Sequence, residues 1–508
     1  MAQQAFQTKP LSMLLEEVRG ENRLRRVLGP VQLTSLGVGA IIGAGIFVAT
    51  GAAAHNVAGP ALMLSYVVAG MTCVFAALCY AEFASMVPVA GSAYTYAFAT
   101  LGELFAWIIG WDLVLEYAVG AATVANGWSG YFQSLLPKLG LGLPATLSQP
   151  PFAYDPNLGR FVGTEGLINL PAVLIVIVMT GVLVKGIQES ASFNAAMVGI
   201  KITAVLFVIT VGAFYVHGAN WRPFAPYGWT GVSIFGYHVA GRTDAGGQPV
   251  GMLAGAAIIF FAYIGFDSVS THAEEAREPN RDVPTGIMAS LLICTVLYIA
   301  VVAVLTGMVP YIQIDENAGV SSAFKLVGLG WAEAIIAIAG VAGITSVLLV
   351  LMLSGPRVFL AMARDGMVPR EFFGSVHPRF RTPWKSTILI GAFVATLTGF
   401  MPLGALLNLT NIGTLLAFSI VCVAVLIMRR IHPEAQRPFR CPWVPVVPIC
   451  GIACCLLLMF SLPAANWWRL GIWLVIGLAI YFSYSQKHSV VAQHLARAGR
   501  VPGAPRER

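Results

Sequence analysis

Residues 37–48 read GVGAIIGAGIFV and place four glycines in the middle of the first apolar segment. Glycine weakens a helix because it lacks a side chain and loses much conformational freedom on folding. Unwound backbone at membrane depth is tolerated only where it is buried in protein or lines a cavity. Freed N–H groups at such a break can bind an anion such as a carboxylate. The stretch therefore predicts an interrupted membrane helix with a ligand site at Gly43, Ala44 and Gly45.

A second glycine-interrupted segment, FFAYIGFDS at 260–268, occurs in the second half of the chain. Gly265 permits a break just after Tyr263 and Ile264, where freed carbonyl groups would accept hydrogen bonds from an ammonium. Gly39 and Gly43 also have the small-xxx-small spacing of a close helix–helix contact, so the first break alone leaves two interpretations. Two broken helices in matching positions are the best sequence pointer to a secondary transporter's binding site. The pair therefore favours the ligand-binding interpretation.

The composition is that of an integral membrane protein. Of 508 residues, 57% are hydrophobic and 10% are charged, whereas soluble domains carry roughly 25% charged residues. With about 20 residues per span, the chain has room for about twelve spans. We place these spans at 31–54, 61–87, 103–128, 168–184, 192–216, 252–272, 285–309, 331–355, 386–401, 404–428, 444–461 and 468–485. Residues 1–30 lack a signal peptide's apolar core and, with 486–508, are predicted to form cytoplasmic tails.

Basic residues are distributed unevenly among the predicted loops. An even number of spans puts both termini on one side, and the segments on that side hold 23 of the 30 Lys and Arg residues. Six others are assigned to the outside loops, including Arg469, which stands at the boundary between the last outside loop and the predicted span 468–485. Cytoplasmic loops carry an excess of Lys and Arg, so both termini are expected to be cytoplasmic. The net charge of +7 follows from this asymmetry and does not indicate nucleic-acid binding.

A faint internal repeat relates the two halves. Span 1 is glycine-broken and followed by GPALMLSYVV, and span 6 is glycine-broken and followed by DVPTGIMASLL. Five spans separate the two breaks, and an odd number per repeat forces opposite orientations. We therefore expect inverted repeats at about 31–216 and 252–428, with two extra helices at about 444–485.

Three acidic or basic residues at membrane depth are candidates for proton coupling. Lys201 lies about ten residues, or roughly 15 Å, into its span, a depth that argues against snorkelling to the interface. An intramembrane ammonium is a functional candidate by default. Asp267 lies beside the second break, either as a functional acid or as a cap for the second half-helix. Asp112 and Glu116 share a helix face; an interhelical hydrogen bond is the simpler expectation for Asp112, and Glu116 is the candidate proton site.

The sequence lacks several common motifs of enzymes and metal sites. GAGIFVATGA follows no strand of a βαβ unit, so a dinucleotide site is not indicated. GxSxG, HExxH and Walker patterns are absent, and neither the histidines nor the eight cysteines have metal-ligand spacing. We expect no catalytic residue, no metal and no cofactor.

Four stretches resemble the amino acid–polyamine–organocation (APC) superfamily, and in particular a bacterial form of the cationic amino acid transporter family. GVGAIIGAGIFV is similar to the superfamily's first-helix signature, and VPVAGSAYTYAFATLGE at 87–103 fits the region after helix 2. FFAYIGFDSVSTHAEEAREPNRDVPTGI at 260–287 is very similar to the family's sixth helix and following loop. PRVFLAMARDGMVP at 356–369 resembles the cytoplasmic end of the eighth helix. The resemblance covers nearly all spans.

The resemblance implies an all-α polytopic membrane protein with a LeuT-type fold: a 5+5 inverted repeat plus two additional helices. It implies that main-chain groups bind the substrate's carboxylate and ammonium, and that Lys201 occupies the place of a sodium ion. The implied substrate-binding residues are Gly43, Ala44 and Gly45 for the carboxylate, Phe261, Ala262 and Ile264 for the ammonium, and Ile344 and Thr345 near the side-chain pocket.

The sequence thus predicts a secondary active transporter for α-amino acids in a bacterial inner membrane, coupled to protons and working by alternating access. Its expected partners are an amino acid, a proton and the lipid bilayer, with the oligomeric state left open. An apolar residue at Ile344 would crowd a long cation and favours neutral or broad specificity, whereas Glu116 would suit a cationic substrate. The alternatives are an exchanger without proton coupling and a non-transporting amino acid sensor.

Overall fold

The computed structural model describes residues 6–10, 28–86, 92–155, 160–186, 191–235, 237–271, 276–316, 318–491 and 493. Most of the two predicted tails, 1–30 and 486–508, lies outside these residues. The predicted cytoplasmic position of the tails therefore stays a prediction.

Apolar helices dominate the described chain, because a chain in lipid must satisfy its backbone hydrogen bonds internally. In order, the α-helices are α1 (Pro30–Ile41), α2 (Thr50–Ala53), α3 (Leu62–Met86), α4 (Ser92–Thr100), α5 (Glu103–Leu135), α6 (Ala145–Ser148), α7 (Leu170–Lys185), α8 (Ala191–Gly212), α9 (Met252–Ile259), α10 (Ser268–Thr271), α11 (Pro279–Met308), α12 (Gly319–Leu326), α13 (Gly330–Arg364), α14 (Arg370–Phe373), α15 (Trp384–Phe400), α16 (Leu403–Ile431), α17 (Val446–Met459), α18 (Ala464–Ile480) and α19 (Gln486–His488).

Within the described residues, seven helical stretches are long and apolar enough to cross a membrane, and four shorter apolar helices accompany them. The first stretch, Pro30–Met86, contains both the first broken segment and α3. The predicted spans overlap these helices with bounds that differ by several residues, and the number of twelve spans stays a prediction. The eighth span was expected to end at 355, yet α13 continues through Pro356 to Arg364. The chain is a mostly helical, multi-pass membrane protein.

Two long loops contain small antiparallel sheets that the all-α prediction did not include. Strands β1 (Phe152–Asp155) and β2 (Arg160–Gly163) form one hairpin. Strands β3 (Gly231–Ile234), β4 (Tyr237–Thr243) and β5 (Pro249–Val250) form a three-stranded sheet in that order. The prediction of an all-α protein is therefore wrong in these two loops only, and the membrane-crossing part is helical.

Helix α5 is central to the packing and lies along α13, α16 and α15. Helix α11 packs along α1 and α3 on the other side of the broken segments. The α1–α2 and α9–α10 segments therefore lie between packed helices, where irregular backbone is tolerated.

Candidate functional site

The first predicted break is present at Ile42 and Gly43. Helix α1 ends at Ile41, Ile42 has an extended ψ of 108°, and a π-helical turn begins at Gly45. Neither Gly43 nor Ala44 uses its N–H group in a hydrogen bond within the described part of the chain. All these residues are buried. The break thus presents unpaired backbone donors inside the protein, which is the geometry needed to bind an anion.

The second predicted break follows a 3₁₀ turn, Phe260–Tyr263, that ends α9. Ile264 leaves the helix with ψ 130°, and Gly265 has φ +120°, a conformation that residues with side chains rarely adopt. A short helix, α10, resumes at Ser268. The break therefore depends on glycine at position 265.

The two broken segments contact each other directly. A side chain on Gly45 would overlap the backbone of Ala262, and one on Gly265 would lie within 2.9 Å of the Ala40 carbonyl oxygen. Tyr298 of α11 links the two segments. Its hydroxyl lies 2.8 Å from the carbonyl oxygen of Ile41 and 3.1 Å from that of Ala262, and it can donate to one of them at a time. Backbone donors of one break therefore lie next to backbone acceptors of the other.

A small apolar cavity of about 10 Å³ lies beside the two breaks. A cavity of about 10–15 Å³ holds a single water, so the site is closed and must expand to admit an organic ligand. The residues that line it are Ile41, Ala44, Gly45, Phe261, Ile264, Val347 and Leu351.

The structure brings the predicted main-chain residues of the two breaks together. The α13 residues that line the cavity, however, differ from the predicted ones. Ile344 is buried but does not line the cavity, and the Thr345 hydroxyl accepts a hydrogen bond from the Trp128 indole. Val347 and Leu351 line the cavity instead. They lie three and seven residues after Ile344 and so share its face of the helix. Helical periodicity was the signal that would have identified them.

Lys201 reaches the first broken segment from α8. It is fully buried, and its Nζ donates to the Gly39 carbonyl oxygen at 2.5 Å. The side-chain stem passes 3.3 Å from the position that a Cβ would take at Gly343 of α13. One ammonium therefore lies between α1 and α13, immediately next to the break.

Asp267 is buried against the second break, and both of its carboxylate oxygens accept hydrogen bonds. The Gly265 N–H lies 3.3 Å from Oδ1, and the Tyr117 hydroxyl lies 3.1 Å from Oδ2. Because it satisfies a backbone donor at the break, this arrangement is more typical of the capping alternative than of a free acid facing a ligand.

Glu116 and Asp112 face α16 and α18, close to the guanidinium of Arg469. Arg469 of α18 pairs with Glu116 at 2.6 Å, and the Gly413 N–H also lies 3.3 Å from Glu116. The assignment of Arg469 to an outside loop was therefore wrong. The expected hydrogen bond of Asp112 is also not formed: both oxygens are buried without a partner among the described residues.

A larger cavity of about 650 Å³ opens on the face that carries the two long loops. Its lining includes Asn56, Asn126, Asp315, Glu333 and Leu407. A nearby loop is held by Tyr227, whose hydroxyl donates to the His55 carbonyl oxygen. Burial, with a smaller contribution from Tyr311, raises the pKa of Tyr227 to about 12, so this donor keeps its proton at neutral pH.

The opposite face is closed by contacts between distant parts of the chain. Lys9 forms an ion pair with Asp365 at 3.0 Å, and Tyr94 donates to the same carboxylate. Ser489 and Tyr481 both donate to Glu103, at the beginning of α5. One face thus contains a large cavity and the other a layer of ion pairs and hydrogen bonds.

Residues 28–485 match the family model described as amino acid permease, and this match spans both broken segments. The chain belongs to the amino acid permease family. It is 46% identical over 492 residues to the branched-chain amino acid permease BcaP of Bacillus subtilis, and 44% identical over 486 residues to the methylthioribose transporter of the same organism. Each alignment covers 96% of this chain and 99% of the relative.

Eukaryotic cationic amino acid transporters are also similar to this chain. The vacuolar cationic amino acid transporter 4 of Arabidopsis thaliana is 38% identical over 82% of this chain and 65% of its own length. The human cationic amino acid transporter 4 is 36% identical over 82% of this chain and 61% of its own length. The resemblance of the sequence to the APC superfamily and to cationic amino acid transporters is confirmed, and the family is one of transporters.

Proposed function

We propose that this permease transports α-amino acids across a bacterial inner membrane by alternating access, coupled to protons. The observation that carries the proposal is the contact between the two broken helices, with Gly45 against Ala262. It puts unpaired N–H groups and helix-end carbonyls side by side. An α-amino acid carries a carboxylate and an ammonium on neighbouring atoms, so such a pair of breaks suits its backbone.

In this proposal Gly43, Ala44 and Gly45 bind the carboxylate, and the carbonyls of Phe261, Ala262 and Ile264 bind the ammonium. Support comes from the unpaired N–H groups of Gly43 and Ala44. The Ala262 carbonyl lies within reach of Tyr298, so substrate would replace that hydrogen bond.

The side chain of the substrate would extend into the apolar cavity toward Val347 and Leu351. Ionised groups lose hydration in an apolar pocket and are excluded unless they are paired. We therefore propose a neutral aliphatic amino acid, or a broad neutral set, rather than arginine or lysine. The relative BcaP of Bacillus subtilis is a branched-chain amino acid permease, which agrees with this preference.

The proposed architecture is the LeuT-type fold with twelve spans. The 5+5 inverted repeat would occupy about 31–216 and 252–428, the two additional helices about 444–485, and the termini would be cytoplasmic. The large cavity on one face and the closed opposite face fit an outward-facing state of an alternating-access cycle.

Lys201 is the proposed proton carrier, with Glu116 and Asp267 as the other candidates. The short contact between Lys201 and Gly39 supports this choice, because it ties the charge of Lys201 to the conformation of the first break. Glu116 is already paired with Arg469, and Asp267 satisfies the backbone of the second break.

Uptake by purified permease in proteoliposomes tests the proposal. We expect accumulation of a labelled branched-chain amino acid when the outside is acidic, without sodium, and competition by neutral but not by cationic amino acids. Accumulation that depends only on amino acid loaded inside would indicate the exchanger instead. Specific binding without any uptake would indicate the sensor.

A further inference from the structure

The β3–β4 hairpin exposes an unusual amount of apolar surface. Exposed fractions reach 62% for Phe235, 80% for Tyr237 and 56% for Val239. Residues 223–241 contain no Asp, Glu, Lys or Arg. A hairpin in water normally carries polar or charged side chains on its exposed positions. The composition of this hairpin therefore favours an apolar partner outside the protein.

The hairpin is fixed to the turn between α17 and α18. The Ser233 N–H donates to the Phe460 carbonyl oxygen at 2.7 Å, and the Ser233 hydroxyl donates to that of Leu462 at 3.1 Å. The Phe235 ring packs edge-on against Trp467, with ring centroids 4.7 Å apart. Phe235 has a φ of +50°, which is rare for a bulky residue. The turn thus keeps an uncommon backbone conformation that directs the ring onto Trp467, in the first turn of an apolar helix.

Helix α18, which the hairpin contacts at Trp467, carries an exposed apolar stripe that begins at the next residue. Trp468, Ile472 and Val475 are 71%, 59% and 67% exposed and recur at helical spacing on one face. In a multi-pass membrane protein, such an exposed stripe on an apolar helix faces lipid. Trp468 lies at the end of this stripe, where tryptophan and tyrosine are enriched at the boundary between lipid and water.

We propose that the tip of the β3–β4 hairpin, formed by Ile234, Phe235, Tyr237 and Val239, is a membrane-binding surface. It inserts into the interfacial layer of the outer leaflet beside Trp468. The contact of Phe235 with Trp467, which precedes Trp468 of the exposed stripe in the chain, and the lack of Asp, Glu, Lys and Arg in 223–241 identify lipid as the partner. On the other edge of the same sheet, Pro249 and Val250 line the large cavity. The sheet therefore connects the membrane surface with the cavity wall.

Spin labels on single introduced cysteines test this proposal in proteoliposomes of phosphatidylethanolamine and phosphatidylglycerol. The variants are Tyr237→Cys and Val239→Cys, and the matched control is Thr243→Cys, an exposed position at the far end of the same strand. The native cysteines in the described chain are buried or half-buried, and the unsubstituted protein gives the background. Collision rates are measured with oxygen, which partitions into lipid, and with a water-soluble nickel chelate.

We expect labels at Tyr237→Cys and Val239→Cys to collide several-fold more with oxygen than with nickel, and the label at Thr243→Cys to show the opposite preference. Nickel access at all three positions alike would place the hairpin in water and overturn the proposal. Dipolar broadening that disappears on dilution with unlabelled protein would identify a second copy of the chain as the partner and would also overturn it.

Discussion

At the scale of single residues, the candidate site depends on glycines whose missing side chains make room for other backbone. Gly45 lies against Ala262, and Gly43 faces Val347 of α13. Gly265 supplies a positive φ in addition to space. Each of these glycines permits a contact between different segments, so they are not interchangeable with glycines elsewhere in the same helices.

Valine at Gly43 or Gly45 is expected to abolish substrate binding while leaving membrane insertion intact. A β-branched side chain would collide with Val347 or Ala262 and block the approach of a ligand to the backbone. Loss of two hydrogen bonds to a charged group costs about 3 kcal/mol or more, which corresponds to a loss of affinity of about 100-fold. The affinity of purified protein for substrate, measured at equilibrium, tests this expectation. Gly199→Val is the control, since open space surrounds Gly199; wild-type affinity in either site variant would contradict the assignment.

Lys201→Ala is expected to lose accumulation driven by a pH gradient and to keep substrate binding. The substitution removes the ammonium beside the Gly39 carbonyl but leaves the N–H groups of Gly43 and Ala44 in place. Uptake and binding are measured on the same preparation, with Lys185→Ala, exposed at the end of α7, as the control. If Lys201→Ala concentrates substrate as well as the wild type, the proton moves elsewhere and Glu116 is the next residue to replace.

At the scale of the elements, the α5–α18 contact joins one of the last apolar helices of the described chain closely to α5. The Trp111 indole donates to the Trp473 carbonyl oxygen, and the Trp473 indole donates to that of Trp111, both at 2.9 Å. Their rings stack with centroids 4.3 Å apart. The Arg469–Glu116 ion pair extends the same contact. Helix α18 is therefore expected to move with α5 as one body.

Gly477→Leu is expected to destabilise this contact, because a side chain there would overlap the Trp111 ring. Overpacking a buried position costs about 1–3 kcal/mol, and the midpoint of thermal unfolding in detergent should fall accordingly. Gly471→Leu on the same helix is the matched control, because nothing lies within 4 Å of its missing side chain. Equal unfolding temperatures for the two variants would mean that α18 contributes little to the stability of the bundle.

Elements with a local signal could be predicted from the sequence, and those that depend on distant partners could not. The breaks at Gly43 and Gly265 were predictable because glycine inside an apolar run weakens a helix wherever the run folds. The ion pair of Arg469 was not predictable, since its partner Glu116 lies 353 positions away in the chain. Strand β4 was missed because all seven of its residues are exposed, so it lacks the alternation of buried and exposed side chains that marks a half-buried strand, and β3 is only four residues long.

At the scale of the whole molecule, the two faces differ in openness and in the distribution of charge. The face with the long loops contains the cavity of about 650 Å³. The other face is closed by the Lys9–Asp365 pair and by hydrogen bonds to Glu103. In the proposed alternating-access cycle these closing contacts would have to separate, and the cavity of about 10 Å³ beside the two breaks would have to expand, since it holds no more than about one water.

The basic excess of the closed face predicts which side of the membrane it occupies. Positive charge near the membrane is retained on the cytoplasmic side, and the segment 357–385 carries six Lys and Arg residues. A cysteine at the exposed position Arg379 should therefore resist an impermeant thiol reagent in intact cells and react after the membrane is opened. Gly163→Cys, exposed in β2 of an expected outside loop, should react in both conditions and serves as the control. Efficient labelling of Arg379→Cys in intact cells would reverse the orientation and place the large cavity on the cytoplasmic side.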